Sequence, residues 1–188
     1  MPPIQSNTIS LGSPAPDFTL TDVKTKSQVS IRESRGKKGT LVMFICNHCP
    51  YVVHCIDCIA SMAEEWQPKG VAFLAICSND VENYPDDSPE KMVAFAQERK
   101  LSFPYLFDGT QDTARAYQAA CTPEFYLFDA ELSLFYHGRL DDSRPNGQSP
   151  VTGKDMAAAL EALTAGLKPP ENQMPSIGCS IKWKPTKN

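Results

Sequence analysis

The sequence predicts an α/β protein, with a central mixed β-sheet flanked by helices, and three observations carry that class. Residues 41–45 and 71–78 are unbroken apolar runs of strand length, the pattern of strands buried on both faces. Between them Val52, Ile56, Ile59, Ala63 and Trp66 recur at a helical period, which makes a βαβ unit with parallel strands and a right-handed crossover. Downstream, residues 125–128 form a strong strand that Asp129, Ala130 and Glu131 turn back into a partner over 133–138, an antiparallel pair. At 188 residues the chain suits one domain with a full hydrophobic core.

Taken in order, residues 1–13 are polar and proline-bearing and read as an extended N-terminal arm, ahead of a domain over 14–168. Phe18 and Leu20 alternate with polar neighbours, and with residues 28–31 they predict an N-terminal β-hairpin that feeds the first core strand through the charged turn 35–38. Pro68 and Gly70 close the helix that follows. The acidic loop 80–87 is expected to face solvent. Ser88, Pro89 and Glu90 supply an N-cap, a first-turn proline and an early acid for a helix to about residue 100. A short strand over 103–107, a helix over 111–119 and Pro123 lead into the antiparallel pair. Residues 141–153 are rich in Pro, Gly, Asn and Ser, hence loop, and Thr152 is the expected cap of a last helix lined by Met156, Leu160, Leu163 and Leu167. Residues 169–188 form a tail without periodicity, whose Cys179 and Trp183 imply packing on the domain.

Composition narrows the function classes. With 41% hydrophobic and 21% charged residues and a net charge of -4, nothing is basic enough for nucleic acid or an acidic membrane surface. The N-terminus lacks the basic head and apolar stretch of a signal peptide, and no apolar run reaches the ~20 residues of a membrane span, so the cytoplasm is the expected compartment. Seven cysteines in that compartment are mostly reduced, and closely spaced pairs point to catalysis or metal. No hydrolase signature, glycine-rich phosphate loop or internal repeat is present.

The chemistry concentrates in residues 40–58, TLVMFICNHCPYVVHCIDC. The apolar run delivers Cys46, Asn47, His48 and Cys49 to Pro50, which suits the first position of a helix and leaves Cys49 at the N-cap. Free backbone N–H groups and the positive end of the helix then face the sulfur and favour its thiolate, the form that attacks disulfides or peroxides. Cys46 is either a disulfide partner of Cys49 or a buried strand residue. His48 either helps set the thiolate charge or is a solvated corner residue. Cys55, Cys58 and Cys77 are expected to be core packing. Cys46, Cys49, Cys55 and Cys58, with His48 and His54 among them, also raise a metal reading, but four ligands converging on zinc would disrupt the βαβ unit, and Cu(I) would need fewer thiolates. Arg139, Asp141, Asp142 and Arg144 read as a satisfied surface network.

Two motifs, FICNHCPYV at 44–52 and TPEFYLFD at 122–129, carry a family resemblance. With the order of elements they resemble the thioredoxin fold. In particular they resemble the redoxins of the alkyl hydroperoxide reductase/thiol-specific antioxidant (AhpC/TSA, peroxiredoxin-like) superfamily and the periplasmic thiol reductases, over roughly residues 11–167. The tail is similar to that of an uncharacterised subgroup with the CNHCP motif. The resemblance implies that Cys49 is the attacking cysteine. It also implies that Pro123 is cis and packs against the cysteine site, leaving the Thr122 backbone free to pair with an incoming peptide or thiol partner. The chain departs from both branches: Val52 stands where thioredoxins place the resolving cysteine, and Cys46 and Val42 stand where peroxiredoxins place a threonine and a proline. The resolving role is therefore open. Cys46 comes first, with Cys121 near the predicted cis-proline, Cys179 in a mobile tail and Cys55 in the same helix as alternatives.

The expected function is that of a thiol-dependent oxidoreductase with antioxidant character. Cys49 attacks a peroxide or disulfide substrate, a second thiol releases it as an intramolecular disulfide, and a dithiol reductant such as thioredoxin restores the enzyme. No organic cofactor is implied, and an oligomer is compatible with the sequence. The alternative is a thioredoxin-fold Cu/Zn carrier or a non-catalytic binding protein.

Overall fold

The computed structural model describes residues 3–185. Along the chain lie β1 (Ile4–Gln5), β2 (Thr19–Asp22), β3 (Gln28–Ser30), a single turn α1 (Ile31–Ser34), β4 (Gly39–Phe44), α2 (Pro50–Trp66) and β5 (Val71–Cys77). A short 3-10 turn (Pro85–Asp87), α3 (Pro89–Glu98), β6 (Tyr105–Phe107), α4 (Asp112–Ala116) and β7 (Cys121–Thr122) follow. The chain continues through β8 (Glu124–Asp129), β9 (Leu134–Tyr136), α5 (Lys154–Thr164) and β10 (Ile177–Ser180). Seven strands make one sheet in the order β3-β2-β6-β5-β4-β8-β9. Within it β4 and β5, and β5 and β6, are parallel, and the other pairs are antiparallel. Among the described residues no helix is long and apolar enough to cross a membrane.

The apolar run of β4 is explained by cover on both sides. Successive side chains of a strand point to opposite faces. Leu41 and Met43 join Val52, Ile56, Ile59 and Leu160 in one core cluster, under α2 and α5. Val42 and Phe44 join Leu74, Ile76, Tyr117, Tyr126 and Phe128 in the other. Each such side chain removed from water contributes about 1.5–3 kcal/mol, and the two clusters together clamp the strand whose end carries the cysteines. On the second face the Tyr117 ring meets Phe44 edge-on at 5.5 Å and Tyr126 at 5.3 Å.

Local signals act as their chemistry predicts at two helices. Pro50 opens α2 with Cys49 as N-cap, and the Ser88 hydroxyl accepts from the Lys91 N–H at the start of α3. At α5 the expectation is corrected. Its N-cap is Gly153, in the left-handed region at φ +65°, and not Thr152. The Thr152 hydroxyl still accepts the Lys154 N–H at 3.4 Å, but the Asp155 and Met156 N–H groups go to the Leu140 carbonyl at 3.1 Å each, and Asp141 Oδ2 holds the approach by accepting the Thr152 and Gly153 N–H groups at 2.7 Å each. That carboxylate is buried at 3% exposure, so Asp141 is a structural anchor of the loop rather than part of a surface network. Leu167 does not line the core face either: α5 ends at Thr164 and Leu167 is 65% exposed.

Arm and tail pair with each other. β1 runs antiparallel to β10, with Ile4 opposite Gly178, and β10 runs antiparallel to β7, which makes a second sheet in the order β1-β10-β7. The expectation of a mobile tail is thereby corrected. Ile181 is buried, the Lys182 carbonyl accepts from the Asp80 N–H and from Gln111 Nε2 at 2.8 Å each, and the Lys182 N–H donates to Asn79 Oδ1 at 2.9 Å. The acidic loop is corrected in part: Glu82 and Asp86 are exposed, but Asp80 and Asp87 are buried, at 1% and 0% exposure, where both accept hydrogen bonds from neighbouring N–H groups.

Candidate redox site

The site forms where β4 ends, α2 begins and β7 passes across them. Ile45 continues the β4 pairing by donating its N–H to the Ile76 carbonyl at 3.0 Å, and Cys46, Asn47 and His48 then turn the chain into the helix. This turn brings Cys46 and Cys49 together against Thr122. The Cys49 thiol donates to the Thr122 carbonyl at 3.2 Å, and Cys46 Sγ lies 3.5 Å from the Thr122 hydroxyl. The Thr122–Pro123 peptide bond is cis. Both sulfurs are enclosed, with Cys46 1% and Cys49 0% exposed.

The pair is electrostatically asymmetric. Cys49 is lowered from 9.0 to about 5, first by hydrogen bonding from the Cys46 thiol. Burial opposes the shift, while the Thr122 hydroxyl, the Cys179 thiol and the Val52 N–H add to it. The helix start therefore acts through Val52, but the neighbouring thiol acts more strongly. Cys46 moves the other way, well above its ordinary value. It gives its proton to the bond with Cys49, it is buried, and Asp87 stands nearby. One proton is thus held between two sulfurs, with the charge on Cys49.

His48 is not a solvated corner residue. Its Nδ1 lies 2.7 Å from Asp87 Oδ2, with the ring N–H out of line, so the contact is one of charge rather than an aligned hydrogen bond. Asp87 raises the His48 pKa. Burial pushes the Asp87 carboxyl up, but His48, Asn79 and the Asn47 N–H outweigh it and the net shift is down. Asn47 links this group to the sheet, since its Oδ1 accepts from the Tyr105 hydroxyl at 3.0 Å and its N–H donates to Asp87 Oδ1 at 2.8 Å. The corner that carries both cysteines is thereby tied to a buried carboxylate.

The remaining cysteines divide. Cys55 is buried in α2, its thiol donates to the Tyr51 carbonyl at 3.2 Å, and burial pushes its pKa up. Cys58 and Cys77 are also pushed up by burial. Cys121 is fully buried and its thiol faces Glu124 Oε2 at 3.6 Å, while burial, Glu124 and the nearby Cys49 and Cys179 push its pKa up. Cys179 is brought in. It stands opposite Thr122 in the β10–β7 pairing, and its thiol is near enough to Cys49 to help lower the Cys49 pKa. This corrects the expectation that the Thr122 backbone is free, because the protein's own tail is paired there. The structure therefore gathers Cys46, Cys49, Thr122, Pro123, His48 and Cys179 around one point, with the Cys121 thiol close by but engaged with Glu124 and the Cys55 thiol engaged with the Tyr51 carbonyl.

Three supporting residues escape a reading of the sequence. Asp87 and Asn79 hold the corner, and Glu124, 0% exposed, holds β7: its Oε2 accepts the Ala120 and Cys121 N–H groups at 2.8 and 3.0 Å. Its Oε1 accepts from the Tyr126 hydroxyl at 2.6 Å and lies 3.5 Å from His137 Nε2. A lone acid at the head of the apolar stretch 124–128 was the signal for Glu124. Asp87 had none, since it sits among other acids in a polar loop. Cys46, His48 and Asp87 also form a group whose donor atoms lie within 4.8 Å of one another, a geometry open to a metal ion. His54 does not join it, having its Nε2 3.1 Å from the Ser143 hydroxyl.

A cysteine pair at a strand-to-helix corner, facing a cis-proline on the neighbouring strand, defines a thioredoxin-fold protein with a thiol centre. The chain belongs to the AhpC/TSA family, whose sequence model matches residues 11–137. A solved structure of an uncharacterised conserved protein from Geobacillus kaustophilus is 52% identical, with a TM-score of 0.97 and coverage of 100% of this chain and 99% of that one. A hypothetical protein from Sinorhizobium meliloti 1021 is 42% identical, with a TM-score of 0.93 over 96% of this chain and 98% of its own. The thiol-disulfide oxidoreductase ResA of Geobacillus kaustophilus (strain HTA426) is 28% identical over 125 residues, which is 66% of this chain and 67% of that protein.

Proposed function

We propose that the protein is a thiol-dependent oxidoreductase in which the Cys49 thiolate attacks a peroxide or a disulfide. The observation that supports this most is the Cys46–Cys49 pair itself: one sulfur held as thiolate near neutral pH by the other, beside Thr122. A thiolate with a pKa of about 5 is both fully ionised at neutral pH and a good leaving group. With a peroxide, Cys49 takes the distal oxygen and becomes a sulfenic acid, and the alcohol or water leaves. The Cys46 thiol then attacks that sulfur, the S–S bond forms and the oxygen departs as water. With a disulfide, Cys49 forms a mixed disulfide and the first thiol leaves, after which Cys46 displaces the second. A dithiol reductant of the thioredoxin type returns both cysteines to thiols. The family membership and the likeness to a thiol-disulfide oxidoreductase agree with this reading.

Turnover of hydrogen peroxide, and of a small disulfide, with dithiothreitol as reductant tests it. Cys49→Ser should abolish turnover of whichever oxidant the protein uses, and retention of full activity would sink the assignment. A metal carrier is the second reading, favoured by the convergence of Cys46, His48 and Asp87. Equilibrium dialysis of the reduced protein against Zn(II) and Cu(I) decides it: stoichiometric uptake that His48→Ala removes supports a carrier, and no uptake rejects it.

A further inference from the structure

In this fold the backbone next to the cis-proline is a strand edge, and an extended thiol-bearing segment can pair with it. Here that edge is filled from within. β10 lies antiparallel to β7, placing Cys179 opposite Thr122 and Ser180 opposite Cys121. Gly178 stacks so closely that a Cβ there would stand 2.0 Å from the Thr122 carbonyl oxygen and 2.6 Å from its carbon. Only a glycine permits this approach. The strand is fixed at both ends, by the pairing of Gly178 with Ile4 and by the Ile181 N–H donating to the Ala120 carbonyl at 3.0 Å.

The three neighbouring sulfurs differ in access. Cys46 and Cys49 have 1% and 0% of their surface exposed, whereas Cys179 is half-buried. An external reductant therefore meets Cys179 first. We propose that β10 is a tethered substrate strand, whose Cys179 takes the oxidising equivalent from Cys49 as a Cys49–Cys179 disulfide and presents it to the external dithiol. The proposal rests on Cys49 being the attacking thiolate. The Cys179 thiol attacks the Cys49 sulfur, either of the sulfenic acid, releasing water, or of the mixed disulfide with a disulfide substrate, releasing the substrate's second thiol, which takes up the proton that Cys179 gives up. An external thiolate then attacks the Cys179 sulfur. The new S–S bond forms there, and Cys49 leaves as thiolate. The second thiol of the reductant attacks its own sulfur in that mixed disulfide, closing the reductant's disulfide and freeing Cys179. The direction of this exchange follows from the leaving groups, because Cys49 lies at about 5 and Cys179 at about 11, raised by burial and by Cys49.

The test uses the full chain. The reduced protein is oxidised with an equimolar amount of hydrogen peroxide, or of a small disulfide, and then mixed with a thioredoxin variant that lacks its second active-site cysteine. The trapped mixed disulfide is mapped by mass spectrometry. It should fall on Cys179. A mixed disulfide on Cys49 or Cys46 overturns the proposal. In parallel, reduction of the oxidised Cys179→Ser protein by intact thioredoxin should be slower by about tenfold or more, and a rate within about twofold of the unsubstituted protein overturns it. If neither oxidant modifies Cys49 at all, the thiol-oxidoreductase reading fails and the relay with it, an outcome distinct from oxidation at Cys49 with trapping at the wrong sulfur.

Discussion

The Cys49 thiol donates a hydrogen bond to the carbonyl oxygen of Thr122 at 3.2 Å. Only the protonated sulfur can make that bond. On ionisation the sulfur becomes an acceptor, and the Cys46 thiol and the Thr122 hydroxyl are in place to donate to it. The same few atoms thus serve both protonation states, and the balance lies with the thiolate.

The first prediction follows from that balance. Thiolate absorbance in the ultraviolet should rise with a midpoint near pH 5, and Cys49→Ser should remove this step. The sign for stability is also set. Between about 5 and 9.0 the folded protein has lost a proton that the unfolded chain retains, so folding gains stability as pH rises, and loses it as pH falls through the folded value. Comparison of denaturant midpoints for the two proteins across that range checks the sign. A midpoint near 9 in the titration would contradict it.

The His48–Asp87 contact predicts a second pH dependence. His48 is raised above 6.5, first by Asp87, so its contribution is fully present below 6.5 and lost as pH rises through the folded value. Asp87 is lowered below 3.8, so its contribution is present above 3.8 and lost as pH falls through its folded value. Asp87→Asn should cost roughly 1–3 kcal/mol where both are charged, and the cost should shrink at either end. Denaturation of both proteins over a pH series measures it, and a cost that does not vary with pH would count against the ion pair.

Gly178→Ala places a methyl group against the Thr122 carbonyl. β10 then has to separate from β7. A loss of about 1–3 kcal/mol is expected, together with faster alkylation of Cys49 as its cover loosens. Unchanged stability and alkylation would show that the strand contact is not tight.

Glu124 gives the fourth prediction. Glu124→Ala leaves the Ala120 and Cys121 N–H groups and the Tyr126 hydroxyl without the acceptor they share. A loss of roughly 2–5 kcal/mol is expected, at about 1–3 kcal/mol for each buried backbone N–H left unsatisfied. Thermal unfolding measures it, and a change below about 1 kcal/mol would mean that water replaces the carboxylate.

These supports mark the boundary of what the sequence discloses. The apolar runs, the helical period after Pro50 and the position of Cys49 are local patterns, and local patterns set β4, α2 and β5. The likeness of the two motifs placed Thr122 and Pro123 beside the cysteines. Asp87 and Asn47 are 40 residues apart, and nothing in an acidic loop tells that one carboxylate turns inward to a distant N–H. Thr152 has the chemistry of a cap and accepts the Lys154 N–H, yet the Asp155 and Met156 N–H groups go to the distant Leu140 carbonyl and Asp141 holds the Thr152 and Gly153 backbone. β10 is a short segment with a glycine at its centre and no apolar alternation. Its pairing with β7 exists only once Thr122 is in place, so the cover over the thiol pair, and the placement of Cys179, emerge from tertiary structure alone.

The most direct measurement of the central claim is the site of first oxidation. The reduced protein is treated with an equimolar amount of hydrogen peroxide or of a small disulfide, quenched over time, and its cysteines are mapped by mass spectrometry. The account predicts that, with at least one of these oxidants, Cys49 is modified first, faster than a free thiol such as glutathione, and then found in a disulfide with Cys46 or Cys179. If with both oxidants the cysteines react in order of exposure, with Cys58 and Cys179 ahead of an unmodified Cys49, the assignment of Cys49 as the attacking thiolate is contradicted.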